Sequence, residues 1–105
     1  MKQEDLISVG EFCRHYSVEV SFVRALHDAE LIDIVAIRDE MYVRHDQLPL
    51  LERLTRFHYD LDINLEGIEV INRLLQRIDE MQAEIIALKN KLRRFRRIEG
   101  WEGTV

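Results

Sequence analysis

One cysteine, four histidines and two sets of basic side chains are the residues of this chain whose types could do chemistry. Cys13 stands alone, so neither a disulfide framework nor a thiolate metal site is available. Its apolar neighbours point to a buried thiol. His15, His27, His45 and His58 have no close ligand spacing and no thiolate support, which argues against a zinc site. There is no glycine-rich phosphate loop, and one cysteine with four histidines sets too few constraints to define a Ser/His/Asp or Cys/His constellation. Catalytic residues, metal ligands and cofactors are therefore not expected. What remains is binding chemistry.

Two basic features could supply it. Arg24 lies on a predicted second helix, where a helix-turn-helix would present it to phosphates or bases. Its neighbours on the outward face are Glu19, Ser21, His27 and Asp28, which offer phosphates more repulsion than attraction. A surface arginine paired with Glu19 or Asp28 is the competing reading. The second feature is the run Lys89, Lys91, Arg93, Arg94, Arg96 and Arg97. It could meet nucleic acid or a membrane surface, but cations in a last helical turn also complement the helix dipole. Asp62, Glu66, Glu69, Asp79, Glu80 and Glu84 are the acids they could face on an antiparallel partner.

The bulk numbers favour a basic protein partner over nucleic acid. Net charge is −5 over 105 residues. With the six late cations set aside, the remainder carries −11, and residues 1–59 hold seven basic against eleven acidic side chains. An acidic body disfavours tight phosphate binding. The apolar fraction of 47% is ordinary for a folded chain. No secretory leader and no long apolar run are visible, so the expectation is a cytoplasmic protein that does not cross a membrane.

The elements that position these residues follow from capping and periodicity. Ser8-Val9-Gly10-Glu11 has the form of a capping box, starting a short helix over about Val9 to His15 with Phe12 and Tyr16 on its buried face. Ser17-Val18 reads as a tight turn. A second helix then runs from about Val20 to Ala29, with Phe22, Val23, Leu26 and Ala29 inward, which makes a helix-turn-helix. Leu31 to Ile37 and Met41-Tyr42-Val43 are β-prone, joined by Arg38-Asp39-Glu40 in a hairpin that lacks the Asn-Gly signal. Asp46 is the expected N-cap of a third helix, with Pro49 in its first turn and Leu48, Leu51, Leu54, Thr55 and His58 along its amphipathic face. Asn64 caps the last helix, and Gly67 lies in its first turn.

That last helix, Leu65 to about Glu99, carries an unbroken heptad stripe. Ile71, Ile78, Ile85 and Leu92 fall on a, and Leu74, Met81, Leu88 and Phe95 on d. At 1.5 Å per residue it is roughly 50 Å long, against about 30 Å for a compact domain of the rest. Its first turns, through Ile68, Ile71 and Leu75, are expected to close the helix-turn-helix core. The distal seam of Ile78, Met81, Ile85, Leu88, Leu92 and Phe95 is expected to pair with a second chain. Acids early and bases late favour antiparallel helices. Leu75 at e and Ile86 at b widen the stripe and leave a broader bundle open. Gly100 is the expected stop and residues 101–105 a frayed tail.

This order resembles the DNA-binding module of the MerR family, a winged helix-turn-helix followed by a long dimerisation helix. Val18 falls on that family's turn valine, Arg24 on its arginine, Leu31 on the leucine closing the second helix, and Tyr42 on the first tyrosine of the wing motif. There are departures. The wing's Tyr-Arg-x-Tyr is Tyr42-Val43-Arg44-His45 here, the paired aromatics of the second helix are Ala25 and Leu26, and the glycine before the closing leucine is Glu30. No effector domain follows. The chain is more similar to a MerR-like offshoot, the CbpM-type chaperone modulators. Glu11-Phe12-Cys13-x-His15 looks like that group's opening helix, and Leu61-x-x-Asn64-x-x-Gly67-Ile68-x-x-Ile71-x-x-Leu74-Leu75 like the start of its long helix.

The resemblance implies a mainly α fold: a MerR-like winged helix-turn-helix with a small two-stranded wing over residues 1–63, a long coiled-coil helix over 64–100, and a flexible tail. It implies a non-enzymatic homodimer that binds the J domain of a DnaJ-like, curved-DNA-binding co-chaperone and regulates it. The alternative is a DNA-binding transcription regulator acting as a dimer. In either case the expected binding face is Glu19, Ser21, Arg24, His27, Asp28, Tyr42 and Arg44.

Overall fold

The computed structural model describes residues 5–99. Ser8 begins the fold twice over. Its backbone ends strand β1 (Leu6–Ser8), and its hydroxyl accepts the Glu11 N–H at 3.3 Å to cap helix α1 (Val9–Tyr16). The helix stops at Ser17, which takes a left-handed φ of 56°, and the Val18 N–H closes on the Cys13 carbonyl at 2.9 Å. Helix α2 (Val20–Asp28) starts within the same turn and buries Phe22, Val23 and Leu26 at helical spacing. It ends in the same way as α1: Glu30 has φ 62°, and the Leu31 N–H bonds to the Leu26 carbonyl at 2.9 Å.

Strands β2 (Val35–Ile37) and β3 (Glu40–Arg44) form the expected hairpin. Arg38 and Asp39 both have positive φ, 51° and 65°, the signature of the two-residue turn whose twist suits a hairpin. The wing is larger than the two strands expected. β1 lies on the other side of β3, giving a three-stranded antiparallel sheet in the order β1-β3-β2. Ile7 pairs with Val43, while Ser8 and Val35 both pair with Tyr42. A three-residue strand has no room for a visible alternation, and its hydrogen bonds come from β3, far along the chain.

A 3-10 turn over His45–Gln47 leads into helix α3 (Leu48–Tyr59). Asp46 does not cap this helix as expected. Its carboxylate takes Arg44 Nε at 3.4 Å, and the helix begins two residues later, with Pro49 in the first turn. Leu51, Leu54 and Thr55 are buried, the Thr55 hydroxyl donating to the Leu51 carbonyl at 2.7 Å. Helix α4 (Leu65–Ile98) starts under the Asn64 cap, whose Oδ1 accepts the Gly67 N–H at 2.9 Å.

The chain divides after Ile71 into two units. The first holds the core, where Leu26, Leu51, Leu54 and Ile68 are fully buried, each worth roughly 1.5–3 kcal/mol. Ile68 thus belongs to the core as expected, and Ile71 is half-buried. Tyr16 differs from expectation. It is 41% exposed, its ring stacked on Phe12 at 4.5 Å and its hydroxyl turned to Glu52. The second unit is the continuation of α4. The fold is mainly α, a winged helix-turn-helix followed by a long helix. Gly100 and the tail lie outside the described residues.

Candidate functional site

The outward side of α2 gathers the expected residues on one surface. Glu19, Ser21, Arg24, His27 and Asp28 are all exposed. Glu19 precedes the helix, and its N–H donates to the Tyr59 hydroxyl at 3.1 Å, tying the start of α2 to the end of α3. The Ser21 hydroxyl donates to Glu19 Oε2 at 3.3 Å. His27 is partly committed to the fold: its Nδ1 lies 3.3 Å from the Ile32 carbonyl, so that nitrogen carries the proton. Arg24 enters no ion pair among the described residues. The competing pairing with Glu19 or Asp28 is not made, and the guanidinium stands free between acids.

The two wing residues are engaged within the wing itself. Tyr42 is half-buried, and its hydroxyl donates to Glu40 Oε2 at 3.2 Å. Partial burial, then the Glu40 and Glu11 carboxylates, push its phenol above the ordinary value. It lines a cleft of about 500 Å³ between β3 and the start of α1, with Gly10, Glu11, Arg14, Val20 and Glu40. Arg44 is paired to Asp46 at 3.4 Å, so the wing arginine is already engaged. No hydrogen bond or ion pair among the described residues links the α2 residues to Tyr42 or Arg44.

Two features carried no local signal in the sequence. An apolar groove of about 570 Å³ runs beside α1, lined by Ile7, Phe12, His15, Tyr16 and Leu48. Beyond it, His58 stacks on Phe22 with ring centres 4.6 Å apart, and its Nδ1 donates to the Ile63 carbonyl at 2.9 Å. Both depend on pairings between distant helices. Cys13 is buried, and burial pushes its thiol up. Among the described residues, no three His, Cys, Asp or Glu side chains converge to hold a metal ion, and no helix is long and apolar enough to cross a membrane.

The electrostatic character is therefore acidic. Glu11, Glu19, Asp28, Glu30, Asp33 and Glu40 are all exposed on the first unit. On the second unit the heptad stripe is uncovered: Ile78, Met81, Ile85, Leu88 and Phe95 are between 46% and 64% exposed, and Leu92 is half-buried.

Residues 7–90 match the model of the family described as MerR HTH family regulatory protein. Among characterised proteins, the chain is 25% identical over 90 residues to the chaperone modulatory protein CbpM of Pseudomonas putida, covering 85% of this chain and 89% of that protein. It is 24% identical to the chaperone modulatory protein CbpM of Pseudomonas entomophila over the same shares. No solved structure gives a significant match.

Proposed function

The chain belongs to the MerR helix-turn-helix family of regulatory proteins, and we propose that within it this chain is a non-enzymatic chaperone modulator. In this reading it is a homodimer of antiparallel helices that binds the J domain of a DnaJ-like co-chaperone and regulates it. The carrying observation is the acidic, exposed surface of the helix-turn-helix unit, where Arg24 is flanked by Glu19 and Asp28. Base reading requires phosphate contacts to hold the register, and those carboxylates oppose them. The same surface suits a basic protein partner, and the resemblance to the modulator family implies one: a J domain whose basic helix engages Hsp70. Covering that helix would block the engagement. The likeness to chaperone modulatory proteins supports the same choice.

Transcription regulation is the second reading, and one observation favours it: Arg24 is exposed and unpaired on the second helix of the helix-turn-helix. A single comparison separates the two. Binding to a cognate J domain and to random-sequence DNA is measured in the same moderate salt. The modulator reading expects J-domain binding at micromolar affinity or tighter with no DNA retention. Selection of a palindromic DNA site that Arg24→Ala abolishes would overturn it.

A further inference from the structure

We infer that the uncovered stripe of α4 is filled by a second copy of this chain in one antiparallel register. In it, Ile78 sits opposite Phe95 of the second copy, Met81 opposite Leu92, and Ile85 opposite Leu88. This rests on the homodimer reading above and goes beyond it by fixing which residues meet.

An antiparallel pair sets a positions against d positions, and sliding by a heptad step leaves three registers with at least six apolar layers. They differ in what the flanking g positions Arg77, Glu84 and Lys91 meet. A middle register, with Ile78 on Leu88 and Met81 on Ile85, sets Glu84 against Glu84 and Arg77 against Lys91. Both contacts are repulsive. A register shifted toward the helix start, with Ile78 on Met81, sets Arg77 against Glu84. The register inferred sets Glu84 against Lys91, twice by symmetry.

Two observations choose between the attractive pair. Arg77 is already bound within its own helix to Glu80 at 3.3 Å, whereas Glu84 and Lys91 make no hydrogen bond or ion pair among the described residues. The early register also needs Ile71 as a layer, and Ile71 is half-buried within the first unit. The inferred register draws only on side chains beyond that unit. Its six layers span roughly 27 Å at 1.5 Å per residue. The run Lys89–Arg97 then lies along residues 76–84 of the second copy, which carry Asp79, Glu80 and Glu84. Helix axes 8–10 Å apart place those charges within about one screening length at 0.1 M salt. A parallel pair would set the cationic runs side by side.

Cysteine cross-linking tests the register, in full chains carrying Cys13→Ser. Ile78→Cys and Phe95→Cys chains are mixed and oxidised, and a covalent heterodimer is expected, with little product from Ile78→Cys alone. Self-linking of Ile78→Cys would show parallel helices and overturn the inference. So would preferential linking of Ile78→Cys to Leu88→Cys or to Met81→Cys, the two rival registers. Charge exchange gives a second measurement that leaves Cys13 in place. Glu84→Lys and Lys91→Glu are each expected to weaken the dimer about tenfold at low salt, with recovery in the double variant. No recovery overturns the register. Light scattering on the unaltered chain separates the failures: a monomer sinks the homodimer reading itself, while a dimer with the wrong cross-links sinks only the register. J-domain binding is read independently of both.

Discussion

Gln47 holds the backbone of Asp33 from both sides. Its Oε1 accepts the Asp33 N–H at 2.9 Å, and its Nε2 donates to the Asp33 carbonyl at 3.0 Å. The segment between α2 and β2 has no regular structure of its own over residues 31–34, so this two-point clamp supplies what a strand ladder would otherwise supply. It fixes the position at which the chain leaves α2 and enters the wing.

Removal of the clamp should therefore loosen the wing. Gln47→Ala is expected to cost about 1–2 kcal/mol by urea unfolding, since two hydrogen bonds are lost. Gln47→Glu is the sharper test: its carboxylate can still accept from the Asp33 N–H but must face the carbonyl with no donor. It should be no more stable than Gln47→Ala. Equal stability of Gln47→Glu and the unaltered chain would show that the clamp does nothing.

Glu30 offers the opposite sign. It sits at φ 62° after α2, in the left-handed region that costs a side-chain-bearing residue about 1 kcal/mol. Glu30→Gly should stabilise the chain by several tenths to about 1 kcal/mol, the relief being offset in part by the greater freedom of glycine in the unfolded chain. The melting temperature should rise by a few degrees. A fall would mean that the Glu30 side chain contributes more than its backbone costs.

That position also shows where the sequence was legible. The MerR-like pattern has a glycine before Leu31, and the structure shows why: the backbone there turns left-handed to send the Leu31 N–H to Leu26. Capping chemistry at Ser8 and Asn64 and the turn at Ser17-Val18 were readable, because each is local and uses residues with short polar side chains. The heptad frame of α4 was readable because periodicity over many turns cannot be hidden. What escaped was non-local. β1 exists only because β3 offers it a ladder, Tyr16 turns outward to reach Glu52 thirty-six positions away, and Asp46 exchanges a capping role for Arg44. The candidate site followed the same division. The α2 face was legible as one helical surface, whereas the separate engagements of Tyr42 with Glu40 and of Arg44 with Asp46 depend on how the wing folds.

The Tyr16–Glu52 contact predicts a response to alkaline pH. The hydrogen bond to the Glu52 carboxylate, then partial burial and the same negative charge, raise the Tyr16 phenol above its ordinary value of 10.0. A raised value in the folded state means the contact stabilises fully at pH below the ordinary value, and that contribution is lost as pH rises through the raised one. The melting temperature of the unaltered chain should fall more steeply above pH 10 than that of Tyr16→Phe. Parallel curves for the two chains would show that the phenol and the carboxylate are not coupled in solution.

Gly67 makes the most discriminating prediction about how α4 is started. Replacing a helical glycine by alanine ordinarily stabilises by roughly 0.5–1 kcal/mol. At Gly67 a Cβ would meet Ile63 Cγ2 at 2.7 Å and Asn64 Oδ1 at 3.1 Å, the latter being the atom that accepts the Gly67 N–H. Gly67→Ala should therefore destabilise, by about 1–2 kcal/mol, as overpacking shifts Ile63 and strains the cap. Ile63→Leu removes the clashing Cγ2 while keeping the side-chain volume. In that background Gly67→Ala should become neutral or stabilising, so a double-mutant cycle read by urea unfolding should show a coupling of at least about 1 kcal/mol. A gain in stability from Gly67→Ala alone would mean that the loop at Ile63 yields freely, and the glycine would then owe its place to something other than the close approach of Ile63.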